Sequence, residues 1–416
     1  MITQVFPKNF QRYLSLPVLG PMMDSYATWL FEQRYTRRSS QFELRMAAHV
    51  SKFLHKQGLR VVTEVSEDYL QTCYQSFRLA FPKEAGSVRV IARFLRERDA
   101  LQPLRAPEPS CEDIHVNAFM AHLKDDRGYA PCTVQRQAHI VAEFLDWLKF
   151  EEAHHRLPLL EVTDIEGFVG YMGKRMGRVA LQKVTSTMRN FLRFLAAGGV
   201  IPHGLDSQID TPRIYRQEQL PRALPWATVQ TFLHSIDRNT AIGKRDYAMF
   251  ALMTTYGLRA CDVVALKLDD IQWRAWRIRI CQTKTGNPLE LPLTREVGAA
   301  IYDYLKIVPR YGKYRQIFLR LKAPAGILKA TAVTEAFQSW SRKSGLDIPY
   351  QGTQWLRHSY ALHLCRCGLP LKTIGDLLGH RSPESTANYI RLSTEELREV
   401  ALPVPVLAEW RKEVQS

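Results

Sequence analysis

The chain has 416 residues, enough for two or three domains with cores of their own, and 57 Lys+Arg stand against 41 Asp+Glu for a formal charge of +16. With 46% hydrophobic and 24% charged residues, and with 22 Gly and 22 Pro scattered along it, the composition excludes a wholly disordered or low-complexity protein. The first residues lack the apolar core of a secretory signal and no apolar run nears the ~18 residues of a membrane span, so a cytoplasmic protein without membrane contact is expected.

Residues 1–200 read as helices of roughly 12 to 18 residues, with apolar positions at three- and four-residue steps: Tyr26, Trp29 and Leu30, later Phe144, Leu145, Trp147 and Leu148. No strand pattern competes there. Two stretches look like copies of one module. Tyr35 followed by Phe53-Leu54 echoes Tyr129 followed by Phe144-Leu145, Glu64-Val65-Ser66 echoes Glu161-Val162-Thr163, and Phe94-Leu95-Arg96 echoes Phe191-Leu192-Arg193. Duplication and coincidence among amphipathic helices both account for this.

A proline-containing polar stretch at Leu101 to Pro109 separates the two helical units, and Pro212, Pro221 and Pro225 mark a second break. The expected domains are 1–104, 110–204 and 222–416, with a linker at 205–221. Beyond residue 225 the pattern is mixed. Trp226 to Ile236 and Arg245 to Tyr256 read as helices, then Arg277 to Ile280 and Leu289 to Leu291 alternate with period two around Gly286-Asn287, which predicts a hairpin. Gly368 and Gly379 read as helix stops, and Ser382-Pro383 as a helix start.

Seven cysteines, at 73, 111, 132, 261, 281, 365 and 367, show no CxxC spacing, so they are expected to be reduced core thiols rather than metal ligands. Both halves of the chain are basic. Cut at residue 205, the first carries 27 cations against 21 carboxylates and the second 30 against 20, which suits a polyanion held along the whole length and equally a solvated cationic surface. No phosphate-loop, dinucleotide, metalloprotease or serine-hydrolase motif occurs, and the His154-His155 pair is isolated.

Four segments in the last 160 residues carry a joint signal. They are Gly257-Leu258-Arg259 with Asp262, then Thr283-Lys284-Thr285-Gly286, then Leu356-Arg357-His358, and finally Leu378-Gly379-His380 with Tyr389 nine residues on. In this order and spacing they resemble the active-site pattern of the tyrosine recombinase, or phage integrase, family. The resemblance covers residues 222–395 in detail, and 110–204 is similar to the family's core-binding domain by position. It implies all-α N-terminal DNA-binding units followed by a mixed α+β catalytic domain, clamping duplex DNA from opposite sides.

Such a fold implies a site-specific recombinase that cuts and rejoins DNA through a 3′-phosphotyrosyl bond, with neither metal nor other cofactor. Metal-free phosphodiester transfer calls for fixed cations, and planar guanidinium forks suit the nonbridging oxygens. Arg259 and Arg357 are therefore expected to hold the phosphate, Lys284 to protonate the leaving 5′ oxygen, His380 to bond the phosphate and Tyr389 to attack it. Where the family usually has histidine three residues before the second arginine, this chain has Gln354, which cannot shuttle a proton. Arg274, Arg277 and Arg279, read as lying on the strand before the hairpin tip, are expected phosphate contacts.

The implied partners are double-stranded DNA and a homo-tetramer on two DNA sites, with accessory or paralogous recombinases as further candidates. Residues 1–104 are open to DNA or to a partner subunit, and the apolar tail 402–407 with Trp410 to a neighbouring protomer or its own domain. Two other activities fit the same residues: an accessory DNA-binding protein with weak catalysis, suggested by Gln354, and a type IB topoisomerase.

Overall fold

The structure, a computed structural model, describes residues 1–102, 110–213, 223–284, 286–308, 314–349, 351–380 and 382–387. After short helical turns at Ile2–Val5 and Gln11–Leu14 come α1 (Met23–Glu32), α2 (Arg37–Lys56), α3 (Glu67–Ala80) and α4 (Gly86–Glu97). Thr36 and Ser66 accept the N–H groups of Ser39 and Tyr69, which caps α2 and α3. Tyr26, Trp29, Leu30, Leu44, Val50, Leu54 and Phe94 are buried together in this module.

The second module repeats the order with α5 (Cys111–Ala121), α6 (Pro131–Trp147), α7 (Val162–Gly173) and α8 (Arg178–Ala197). Its core is aromatic: Phe119 packs on Phe191 and Phe144 on Phe168, each with ring centroids 5.2 Å apart. In both modules a long second helix is followed by a 3₁₀ turn, Val62–Glu64 in one and His154–Arg156 in the other, and then by two more helices. Leu54 and Leu145, Phe94 and Phe191, and Leu95 and Leu192 are buried alike. The echo of Glu64-Val65-Ser66 in Glu161-Val162-Thr163 slips, because Ser66 caps its helix from outside while Thr163 lies within α7. The shared order favours duplication over coincidence.

Spatially the chain forms two units, Leu101–Glu218 and the combination of Met1–Ala100 with Gln219–Ser416. Within the latter, the Ala325 N–H donates to the Gln33 carbonyl at 3.0 Å, main chain to main chain. The first helical module is thus seated on the C-terminal region.

That region opens with α9 (Trp226–His234), α10 (Ala241–Tyr256) and α11 (Ala260–Ala265). A three-stranded antiparallel sheet follows, in the order β1 (Ile271–Gln272), β2 (Arg277–Cys281), β3 (Pro288–Pro292). Ile278 faces Leu291 and Ile280 faces Leu289 across the β2–β3 pair, and the two isoleucines point into the core while Arg277 and Arg279 point out. Then come α12 (Arg295–Ile307), α13 (Ala330–Ser344), α14 (Gln354–Arg366), α15 (Leu371–Leu378) and the short α16 (Pro383–Ala387). Phe232, Phe250, Phe337 and Trp355 centre the main core, and Ala361, Cys365, Ile374 and Leu378 a satellite under α14 and α15.

The hairpin lies where alternation predicts it, and Gly368 and Gly379 both take positive φ at helix ends. Other expectations need correction. Two-residue β1 is too short to show a pattern in sequence. Arg274 is not on a strand but in the turn between β1 and β2, where Trp276 takes φ 52. The cysteines are not all core thiols. Cys73 and Cys365 are buried, whereas Cys111, Cys132, Cys281 and Cys367 are exposed, because they occupy helix ends or the outward parity of β2. Most of the first linker (103–109), 214–221 of the second, and Tyr389 with the tail all lie outside the described residues.

Candidate active site

Arg259 is delivered by a turn that only glycine permits. α10 ends at Gly257, φ 62, and a Cβ there would meet Leu378 Cδ2 at 2.5 Å and the Tyr360 ring at 2.8 Å. Tyr256 fixes this corner to the sheet, its hydroxyl donating to the Pro292 carbonyl at 2.8 Å and accepting the Thr294 N–H at 3.0 Å. Two residues on, Arg259 precedes α11 and donates from Nη1 to Gln282 Oε1 at 3.3 Å, with Asp262 Oδ2 at 3.7 Å. Buried Asp262 also accepts the Thr283 N–H through Oδ1 at 2.9 Å, which ties the root of the hairpin tip to α11.

Arg357 comes from the first turn of α14 and is only 3% exposed. It donates to two backbone carbonyls at 2.7 Å, Nη1 to Gly257 and Nη2 to Leu378. The Leu378 carbonyl also accepts from Gln282 Nε2 at 2.9 Å. One carbonyl therefore gathers Arg357 directly and Arg259 through a single glutamine. The two arginine segments, 98 residues apart by number, converge on one point.

His380, two residues after Leu378, lies close enough to both arginines to feel their charge. Gly379, φ 64, ends α15, and the His380 N–H returns to the Gly375 carbonyl at 2.9 Å. A Cβ on Gly379 would collide with the Gln282 side chain, so residue 379 must be glycine for that amide to reach Leu378. His380 Nδ1 lies 2.7 Å from the hydroxyl of Thr386, the one buried residue of α16. Burial, followed by the charges of Arg357 and Arg259, lowers the His380 pKa to about 4; His358 is lowered to about 4 by burial and by Arg357.

Both imidazoles are therefore neutral at physiological pH. In the unfolded chain they take up protons near their ordinary value of ~6.5, so between about 6.5 and 4 the unfolded state binds more protons than the folded one. The contribution of these two imidazoles to stability should be flat above pH 6.5 and fall as pH drops toward 4. Urea unfolding at pH 7.5 and 5.0 checks this, and His380→Asn should lessen the difference; an equal or larger one would overturn the assignment.

The remaining sequence candidates fall as follows. Lys284 is exposed at the hairpin tip, two residues beyond the anchored Gln282. Arg277 and Arg279 lie exposed on the outer face of β2, and Arg277 pairs with Glu290 across to β3 at 2.7 Å. Gln354, the first residue of α14, is exposed. His358 lies close enough to His380 to contribute to its lowered pKa.

Gln282 was missed in the sequence, although a signal existed. It follows Ile278 and Ile280 at period two, so it occupies an inward position, and a fully buried amide there demands partners. Gln282→Ala should reduce strand cleavage by about 10- to 100-fold and lower stability by roughly 1–3 kcal/mol, since a buried acceptor is left with fewer donors. Gln282→Glu keeps an acceptor for Arg259 but loses the donor to Leu378. Single-turnover cleavage and thermal melting of both variants read the two losses separately.

Comparison with known proteins bears on this arrangement. The pattern of the phage integrase family matches residues 223–396, and that of the phage integrase N-terminal SAM-like domain matches 116–199. An integrase/recombinase of Sinorhizobium fredii, y4rA, is 33% identical over 400 residues, 94% of this chain and 97% of its own. Tyrosine recombinase XerD of Listeria monocytogenes is 27% identical over 291 residues, 68% of this chain and 96% of its own. Among solved structures, the XerH site-specific recombinase bound to palindromic difH substrate superposes with TM-score 0.54 at 16% identity, covering 72% of this chain and 98% of that one, a likeness of fold.

Proposed function

The chain belongs to the phage integrase family of tyrosine recombinases, site-specific DNA strand transferases, and on that premise we propose how its own residues divide the chemistry. The observation that carries the proposal is the shared Leu378 carbonyl, which draws Arg357 and, through Gln282, Arg259 to one point beside His380. Two guanidinium groups so held are suited to the nonbridging oxygens of one phosphate, and they stay charged whatever their burial.

Tyr389 attacks the phosphorus through its phenolic oxygen. A bond forms from that oxygen to phosphorus, the bond to the 5′ oxygen breaks, and Lys284 gives that oxygen its proton. The phosphodiester energy is kept in the 3′-phosphotyrosyl bond, so a 5′ hydroxyl from another strand can attack in reverse. His380, as a neutral ring, keeps Nδ1 on the Thr386 hydroxyl and donates its Nε2–H to the phosphate. Gln354 orients but does not take the phenol proton, which passes to phosphate oxygen, water or His358.

Residues 110–204 and 222–416 each hold duplex DNA, with Arg274, Arg277 and Arg279 on its phosphates. Exchanging both strands of two duplexes needs four cuts and so four phenols, which calls for a tetramer of this chain. The events served are integration, excision or inversion of DNA, or transposition of a mobile element, in the cytoplasm at the nucleoid. Among the described residues no helix is long and apolar enough to cross a membrane.

The test is a nicked suicide duplex bearing the site protected in DNA flanking the gene, incubated in EDTA. A covalent adduct whose phosphotyrosyl peptide contains Tyr389 is expected. Tight binding with no adduct on that site would instead favour an accessory DNA-binding role, the reading that Gln354 motivates; relaxation of supercoiled DNA without joining of partners would favour a topoisomerase.

A further inference from the structure

Helix α2 has an outer face that neither its module's core nor the chemistry above accounts for. Arg38, Phe42, Arg45, His49, Lys52 and Lys56 follow one another at alternating steps of four and three residues, and all six are exposed. They form a single stripe from Arg38 to Lys56, about 27 Å at the α-helical rise. The helix carries five Lys and Arg, and its one carboxylate, Glu43, is turned inward and buried. No carboxylate shares the stripe.

A solvated helix face ordinarily mixes both signs. The corresponding long helix of the second module, α6, does so, exposing Arg136, His139 and Asp146. Single-sign charge along a straight line repels itself, and it is well matched to a linear polyanion, whose condensed counterions are released as each phosphate is met. About 27 Å follows the duplex backbone for roughly eight base pairs at 3.4 Å each.

We propose that the outer face of α2 is a phosphate-backbone site for duplex DNA, additional to the DNA held by residues 110–204 and 222–416. The Gln33–Ala325 hydrogen bond, four residues before the helix begins, fixes this module to the same unit as the candidate active site. The stripe therefore lengthens the stretch of duplex engaged by each protomer, without reading its sequence. The inference rests on the recombinase reading only in taking DNA as the substrate.

The test uses the full-length protein and a random-sequence 60-base-pair duplex, with affinity measured by fluorescence anisotropy across a salt series. Combined Arg38→Gln, Arg45→Gln and Lys52→Gln substitution should reduce the slope of log affinity against log salt by about 2–3, since each lost contact contributes roughly 0.9, and weaken binding about tenfold or more at 0.1 M salt. Replacing Arg38 and Arg45 by lysine, which keeps the point charges, should preserve both. Adduct formation by the triple variant on a short suicide duplex limited to the cleavage core should match wild type.

An unchanged slope in the triple variant overturns the inference and assigns the stripe to another occupant, an acidic protein surface first. Lysine variants as weak as the glutamine ones would also overturn it, because the loss would then follow shape rather than charge. Loss of adduct on the short duplex, with the salt slope intact, counts against the division of chemistry proposed above and against this inference together.

Discussion

Replacing Arg357 by alanine should slow covalent adduct formation on a suicide duplex by at least about 10³-fold. Removing one preorganised donor to a developing oxyanion typically costs about 10²–10³-fold. Here the same side chain also closes the site, since it holds the carbonyls of Gly257 and Leu378 at 2.7 Å. Its loss leaves both acceptors short of a charged donor in a place that is 3% exposed, which adds a stability cost of roughly 1–3 kcal/mol for each. Arg357→Lys separates the contributions. An ammonium keeps the charge but cannot span two carbonyls and a phosphate, so it should recover part of the melting temperature and little of the rate. An alanine variant within tenfold of wild type in single-turnover cleavage would remove Arg357 from the chemistry.

Tyr389→Phe should abolish the adduct while DNA binding stays within about twofold. Phenylalanine keeps the ring and loses only the attacking oxygen, and no neighbouring hydroxyl substitutes for a nucleophile that must stand in line with the leaving 5′ oxygen. The last described residue before it, Ala387, ends α16, which Thr386 holds against His380. Binding by gel shift and adduct by denaturing gel, on the same duplex, give the two readouts. An adduct persisting in the phenylalanine variant would place the nucleophile elsewhere.

The parts of the site that sequence disclosed are those in which one residue type does one job at a fixed spacing. Gly379 was readable as a stop because positive φ is its particular freedom, and the hairpin because Ile278 and Ile280 alternate with Arg277 and Arg279. Gln282 was not, because its importance comes from two partners, Arg259 and Leu378, that are distant in number and bind it through space. Seating of the first module escaped for a related reason: the link from Gln33 to Ala325 is between main-chain atoms and leaves no trace in side-chain pattern. The cysteines were misread because their average preference for cores was applied to positions at helix ends and on an outward strand face.

The bonds meeting at Leu378 span 21 and 96 residues of chain, and that from Arg357 to Gly257 spans 100. A candidate centre assembled this way has no local precursor, because its partners are remote in the chain. Cleavage competence should therefore be lost no later than the tertiary structure around Leu378, a loss that single-turnover cleavage and near-ultraviolet circular dichroism across one urea series would read together.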